Sequence, residues 1–301
     1  MGLGYDKQLF ILAFDHRGSF QKKMFGIAGD PTAQETAKII DAKAVIAEGF
    51  ARAVEEGAPA TAAGLLVDEQ YGTETARQAK RDGRIFAMPV EKSGIDYFDF
   101  EYGEDFGSHI LDFDPTFSKI LVRFNPEGNQ QDNERSIKGL VKLDSFLKAN
   151  NRKFLFELLV PGEPHQIEAA GGEDAYDSSV RPGLMKEAIR QLQAAGIEPD
   201  IWKIEGIDTS EDCAMISEQA RCDGRDNVGC IVLGRGANDE KVYHWLRMGA
   251  GVKGYIGFAI GRTLWWDQLT GYLDGSLGRD AAVGQIAANY RKAIDIYQAA
   301  V

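Results

Sequence analysis

The chain lacks the features that mark several large classes of protein. No apolar run reaches the roughly 18 residues that a membrane span needs, and the opening MGLGYDKQLF has neither the charged nor the apolar region of a secretory signal. A cytoplasmic protein without a membrane partner is expected. Positive charge is in deficit: 34 Lys and Arg stand against 46 Asp and Glu, giving a formal charge of −12 with no basic cluster. Nucleic acid and anionic lipid are therefore poor partners. Only three cysteines occur, Cys213, Cys222 and Cys230, an odd number outside any paired C-x-x-C spacing, so no disulfide framework or zinc site is expected. They read as buried or idle thiols. The four histidines, His16, His109, His165 and His244, are scattered without metal-ligand spacing. With no nucleophile elbow, nucleotide phosphate loop, dinucleotide fingerprint or paired-histidine helix, neither a metal nor a cofactor is expected. Internal repeats and low-complexity tracts are missing as well.

What is present is an alternation. In 301 residues, 44% of them hydrophobic, there is enough apolar mass for a large core without a disulfide or metal staple. Eight short apolar, β-branched runs occur at 9–15, 63–68, 85–90, 119–124, 154–160, 200–205, 229–234 and 252–258. Helical periodicity fills 34–57, 74–80, 134–149, 181–195, 210–221, 239–248 and 279–300. Most of the runs are continuously apolar, as strands are when helices cover them outside and side chains fill them inside. Eight strand–helix alternations with no linker or composition break predict one closed (β/α)8 TIM barrel spanning 1–301. The third unit is irregular: DYFDFEYGEDFGSHILDFDP has poor helical periodicity and predicts an excursion with short helices.

Such a barrel carries its reactive residues at the C-terminal strand ends. Those ends are dense in polar residues: Asp15-His16-Arg17-Gly18-Ser19, Asp68-Glu69-Gln70, Glu91-Lys92-Ser93, Lys119 and Arg123 on the fourth strand, Glu157 on the fifth, Lys203 and Glu205 on the sixth. Lys203, between Trp202 and Ile204, must either face the barrel mouth or be buried at a desolvation cost. Desolvation lowers a lysine pKa, and the neutral amine is the form that attacks a ketone to make a Schiff base. The other reading is a strand lysine paired with a carboxylate, Glu157 or Asp15. Glu157 is equally costly to bury, falls beside Lys203 in a sequentially ordered barrel, and is placed to move protons. Gly234-Arg235-Gly236 after the seventh strand and Gly261-Arg262-Thr263 after the eighth read as an anion cradle at a helix N-terminus, or as tight turns. Arg262 is the first choice for the anion contact, Arg235 the second. Trp265 and Trp266 read as packing for the last helices.

Phe14-Asp15-His16-Arg17-Gly18-Ser19-Phe20, Trp202-Lys203-Ile204-Glu205-Gly206 and Ala259-Ile260-Gly261-Arg262-Thr263, taken as an ordered set, resemble the 2-deoxy-5-keto-gluconate 6-phosphate aldolase domain family. The chain is more distantly similar to class I tagatose-bisphosphate and sulfofructose-phosphate aldolases. The resemblance implies a (β/α)8 barrel whose Schiff-base lysine is Lys203, with Asp15, Lys119 and Glu157 as further catalytic residues and Arg262 on the phosphate. It implies an enzyme of carbohydrate and inositol catabolism, a carbon–carbon lyase. Such an enzyme would cleave a phosphorylated keto-sugar acid to dihydroxyacetone phosphate and malonate semialdehyde, with Arg17 and Arg123 receiving the acid's carboxylate. The residues leave room for an aldolase or transaldolase acting on another phosphorylated or sulfonated ketose, and for a sugar-phosphate-binding protein without turnover. The expected partner is a small sugar phosphate. Oligomeric state stays open, with homo-oligomers the common default for such barrels.

Overall fold

The structure, a computed structural model, describes residues 2–236 and 238–301. Eight parallel strands, β1 (Leu9–Ala13), β2 (Ala63–Leu66), β3 (Ile85–Pro89), β4 (Phe117–Arg123), β5 (Lys153–Leu159), β6 (Ile201–Glu205), β7 (Gly229–Leu233) and β8 (Tyr255–Ile260), pair in chain order and close with β8 on β1. The helices are α1 (Gly18–Phe25), α2 (Ala33–Glu55), α3 (Glu69–Arg81), α4 (Phe106–Phe113), α5 (Gln130–Ala149) and α6 (Pro164–Ala170). They continue with α7 (Glu173–Ser179), α8 (Arg181–Ala194), α9 (Ser210–Ala220), α10 (Asp239–Gly249), α11 (Arg262–Asp274) and α12 (Arg279–Gln298). This is the (β/α)8 barrel that the alternation predicts. Among the described residues no helix is long and apolar enough to cross a membrane.

Some boundaries differ from the sequence reading, for local reasons. The eighth strand starts at Tyr255, not 252, because Gly251 and Gly254 hold left-handed turns (φ 76° and 96°) just before it. The helix expected at 74–80 begins at Glu69, where the Asp68 side chain accepts the Tyr71 backbone N–H and caps the first turn. Helices α1, α4, α6 and α7 span only seven or eight residues, too few turns for an apolar period to stand out in the sequence, and α11, whose start the glycine loop signals, is only weakly amphipathic.

The strands alternate between two environments. Leu9 and Ile11, Leu66, Ala87, Phe117, Leu155, Ile201 and Ile231 point inward and fill the lower barrel as one apolar cluster. The outward residues meet the helices. On α2, Ile39, Ala42, Ile46, Gly49, Phe50 and Ala53 form the buried stripe, and Thr32 with Glu35 closes a capping box at its start. On β4, β5 and β6 period two then carries the inward row upward from apolar to charged. Phe117 is followed by Lys119, Leu155 by Glu157 and Ile201 by Lys203, so the chemistry stands on a rigid hydrophobic plug.

Between β3 and α4 the chain makes the irregular excursion. Glu91 and Phe100 form an isolated antiparallel bridge, and the turn of 3-10 helix at Gly103–Asp105 leads into α4. Its phenylalanines are anchors: Phe98 lies against Gly139, Phe100 stacks on Phe106 at 4.0 Å, and Phe106 meets Phe146 of α5 edge-on at 5.1 Å. The segment is thereby fixed beside the mouth.

Candidate active site

The strand ends enclose a cavity of about 620 Å³. Its floor is a layer of five charged side chains. The β5–β6 register sets Glu157 beside Lys203, whose Nζ lies 2.9 Å from Glu157 Oε2. The same oxygen is 3.0 Å from Lys119 Nζ, and Lys119 also reaches Asp15 Oδ2 at 2.8 Å and Glu91 Oε1 at 3.0 Å. Lys119, Lys203 and Glu157 are 1%, 2% and 5% exposed. Charges this deep persist only when paired and hydrogen-bonded.

The pairing is uneven, and so are its electrostatic effects. Burial alone would discharge Lys119, but Asp15, Glu157 and Glu91 together hold its pKa above the ordinary lysine range. Burial also opposes ionisation of Asp15 and Glu157; Lys119 and Lys203 outweigh it and keep both carboxyls below their usual range. Glu91 goes the other way. Its burial outweighs Lys119 and Arg17, and its carboxyl is raised. Lys119 is thus locked as a cation by three acids, while Lys203 has, among the described residues, an ion pair with Glu157 alone.

Around this floor the other expected residues separate into engaged and disengaged groups. Arg17 donates to the Glu91 carbonyl at 2.8 Å and lies 3.2 Å from Glu101 Oε2 and 3.5 Å from Glu91 Oε1, so its guanidinium is occupied within the protein. Arg235 stands with a left-handed backbone (φ 51°), its Nε 3.0 Å from Glu205 and its Nη1 2.5 Å from Asp177 of α7. Arg123, at the exposed end of β4, donates to the Ile95 carbonyl at 3.4 Å, has no ion pair among the described residues, and lines the cavity. Arg262 forms no ion pair among the described residues; its Nη2 donates to the Arg235 carbonyl at 3.3 Å.

The two glycine loops fit that arginine. The left-handed backbone of Gly236 (φ 73°) favours glycine, and a Cβ there would meet the movable Arg262 guanidinium. A Cβ on Gly261 would press on Ala13 and on the His16 ring. Helix α10 is capped by the Asn238 side chain, which accepts from Lys241 N. Helix α11, whose N-cap is Gly261, has no side-chain cap and no acid in its first turn, and its start at Gly261, Arg262 and Thr263 lines the cavity, so its dipole favours an anion there. Ala237, in the first of these loops, lies outside the described residues. His16 bridges the two halves: burial pushes its pKa down to about 4 against the pull of Asp15, and Arg262 adds to the fall.

Two residues of the site were given no role from the sequence. Glu91 appears there only as one of several strand-end acids, and nothing local distinguishes it from Glu101 or Asp96. Lys43 does carry a signal in the sequence. It sits on the apolar stripe of α2, where a cation needs a partner, and its Nζ donates to Asp68, to the Phe14 carbonyl at 2.9 Å and to the His16 carbonyl at 3.0 Å. It ties the β1 loop that presents Asp15, His16 and Arg17. Trp265 packs as expected: it is buried, edge-on to His16 and Phe20, with Nε1 donating to the Ala13 carbonyl at 3.0 Å. Cys213 and Cys230 are buried and all three thiols are free.

Several solved structures share the architecture. Cgl0159 from Corynebacterium glutamicum superposes with a TM-score of 0.63 at 17% identity, over 99% of this chain and 88% of that one. An archaeal fructose-1,6-bisphosphate aldolase, solved with its catalytic Lys covalently bound to the carbinolamine intermediate of the substrate, gives 0.59 at 13% identity over 96% and 94%. The fructose-bisphosphate aldolase of Plasmodium falciparum gives 0.61 at 14% over 97% and 91%. At these identities the likeness is one of fold. No curated protein matches the sequence. A family model does, over residues 4–301, and by that match the chain belongs to the family described as an uncharacterized protein conserved in bacteria (DUF2090).

Proposed function

We propose that the protein is a class I aldolase acting on a phosphorylated keto-sugar acid, with Lys203 as its Schiff-base residue. The observation that carries this reading is the inequality of the two floor lysines. A nucleophilic amine must be able to give up its proton, and Lys119, held by three carboxylates, is the wrong lysine for that. Lys203 has one carboxylate, at the distance a proton shuttle needs. The Lys203 amine adds to the substrate ketone, Glu157 moves the protons that turn the carbinolamine into an iminium and water, and Asp15 and Lys119 orient the hydroxyls. The iminium then draws in the electron pair of the breaking carbon–carbon bond, leaving an enamine that is protonated and hydrolysed.

Substrate class follows from the two disengaged arginines. In a closed barrel of eight strands, β4 and β8 stand opposite each other. Arg262 with the α11 N-terminus suits a phosphate on one side, and Arg123 suits a carboxylate on the other. An anion at each end of a short keto-sugar chain matches 2-deoxy-5-keto-gluconate 6-phosphate, which would give dihydroxyacetone phosphate and malonate semialdehyde. Gly234, Arg235 and Gly236 shape the phosphate side, and the paired Arg17 supports the loop.

The test is borohydride reduction in the presence of dihydroxyacetone phosphate, followed by mass mapping, with a panel of phosphorylated and sulfonated ketoses assayed for triose release. The expected result is an adduct on Lys203 that Lys203→Met abolishes together with turnover. A preparation that turns over but gives no adduct would reject the Schiff base. Binding without any cleavage would reject the enzyme.

A further inference from the structure

Beside the cavity stands a cluster of charge that no reaction step uses. Asp177 of α7, Arg181 at the start of α8, Glu205 at the end of β6 and Arg235 beyond β7 close into a ring in which each acid faces both arginines. Asp177 Oδ1 lies 3.0 Å from Arg181 Nε, and its Oδ2 lies 2.5 Å from Arg235 Nη1. Glu205 Oε1 lies 3.0 Å from Arg235 Nε, and its Oε2 lies 3.8 Å from Arg181 Nη1. The ring is anchored to the barrel: Val160 N donates to Glu205 Oε2 at 2.8 Å, and Arg181 Nη2 donates to the Gly206 carbonyl at 2.9 Å. Arg181 and Glu205 are buried, where charge persists only in such reciprocal pairing.

Asp177, Arg181 and Glu205 do not line the cavity, whereas Arg235 does, so the ring reaches a substrate only through Arg235. That residue is itself engaged. Its backbone is left-handed (φ 51°), an uncommon and costly state for a residue with a Cβ. The grip of Glu205 and Asp177 on two nitrogens of its guanidinium holds it there. This backbone state sets the direction of the Arg235 carbonyl, which accepts from Arg262 Nη2 at 3.3 Å. A carbonyl is a neutral tether. It orients the guanidinium without discharging it, as a carboxylate would.

From this geometry we infer that the ring is a positioning device for the anion-binding arginine: Asp177, Arg181 and Glu205 hold Arg235, and Arg235 aims Arg262 at the phosphate. The inference rests on the reading of Arg262 as the phosphate contact. It makes Arg235 a positioning residue instead of a second anion ligand. It also gives α7, one of three helices between β5 and β6, a task, since α7 delivers Asp177 to the β7 loop.

The sign of one substitution separates positioning from plain electrostatics. Removing the Asp177 charge takes a negative group away from the phosphate side and frees Arg235, and Coulomb attraction alone would then tighten phosphate binding. Positioning demands the reverse. The test is calorimetric titration of wild type, Asp177→Asn, Arg262→Ala and the double variant with dihydroxyacetone phosphate, beside turnover of the panel substrate that wild type cleaves. Asp177→Asn should weaken binding about three- to tenfold and raise KM alike, with kcat within about twofold of wild type. In the Arg262→Ala background the same substitution should change affinity less than about twofold, because the residue it acts through is gone. Asp177→Glu should recover part of the loss. Tighter or unchanged binding by Asp177→Asn overturns the inference, and so does a loss that persists in full beside Arg262→Ala. Should Asp177→Asn fail to fold, Arg235→Ala enters the same cycle, and a loss undiminished beside Arg262→Ala makes Arg235 a direct anion ligand and overturns the inference. Wild-type affinity in Arg262→Ala rejects the reading of Arg262 and this inference together; weakened binding in Arg262→Ala beside an unaffected Asp177→Asn rejects this inference alone.

Discussion

The floor of the cavity and the loops beyond β7 and β8 hold charge in opposite ways. On the floor both lysines have an acid within 3.0 Å, Glu157 from β5 and Asp15 and Glu91 from just beyond β1 and β3, so the charges are spent on one another. In the loops Arg262 is held in place by a backbone carbonyl and a glycine that makes room for it, and its charge is left over. Arg235 stands between the two modes, on the loop but neutralised by Glu205 and Asp177. A paired buried charge fixes geometry and poises proton transfer; an unpaired one at a helix N-terminus waits for an anion.

Lys119→Met should break the comparison most severely. It takes the shared cation from Asp15, Glu91 and Glu157, leaving Glu157 with Lys203 and Glu91 with Arg17 but Asp15 without an ion pair among the described residues, and removing one side of a buried ionic cluster costs about 3–5 kcal/mol. Denaturant unfolding measures this, and Lys203→Met, which leaves Glu157 still paired with Lys119, should cost clearly less. Equal losses in the two variants would show that the floor lysines are not unequal.

Next in size is Arg262→Ala. It should leave the melting temperature nearly unchanged, because no ion pair is broken, while lowering affinity for a phosphorylated ligand about ten- to a hundredfold, the equivalent of about 1.5–3 kcal/mol. A lowered melting temperature with intact affinity would make Arg262 a structural residue, and the two regions would no longer differ in kind.

The smallest effect sharpens the border between them. His16 is held neutral in the fold down to about pH 4, whereas in the unfolded chain it takes a proton near 6.5. Its contribution to stability is therefore full above pH 6.5 and is lost as pH falls toward 4. Wild type compared with His16→Asn should lose about 1–2 kcal/mol more between pH 7.5 and 4.5, a linkage figure already reduced for the partial exposure of the ring. A stability difference independent of pH would remove His16 from the coupling.

The sequence reading found the barrel because period-two strands and long amphipathic helices leave local signatures, and the adjacency of Glu157 and Lys203 follows once the strands are ordered. It did not find what depends on three-dimensional neighbours. Whether Arg17, Arg123, Arg235 or Arg262 keeps a free guanidinium depends on where Glu91, Glu101, Asp177 and Glu205 fall; Arg17 and Arg235 meet these acids from 30 to 84 positions away, and no spacing rule links them. Asp177 was out of reach for a further reason: it lies on α7, a seven-residue helix with no apolar period. Glu91 looked like any acid at a strand end until its pairing with Lys119 and Arg17 set it apart.

The closure of β8 on β1 also governs the order of assembly. Leu9 pairs with Gly257, Trp265 Nε1 donates to Ala13 O across 252 positions of chain, and Tyr290 Oη donates to Phe10 O at 2.6 Å across 280. None of these contacts exists until residues 257 to 290 have left the ribosome. Until then β1 offers an unpaired edge of Leu, Phe and Ile, the kind of strand that joins to other chains. Contacts so distant in sequence also slow folding, since loop entropy is lost before the pairing repays it. The last two helices thus seal the molecule in time as well as in space, and the nascent chain is most exposed to aggregation in the interval before they arrive.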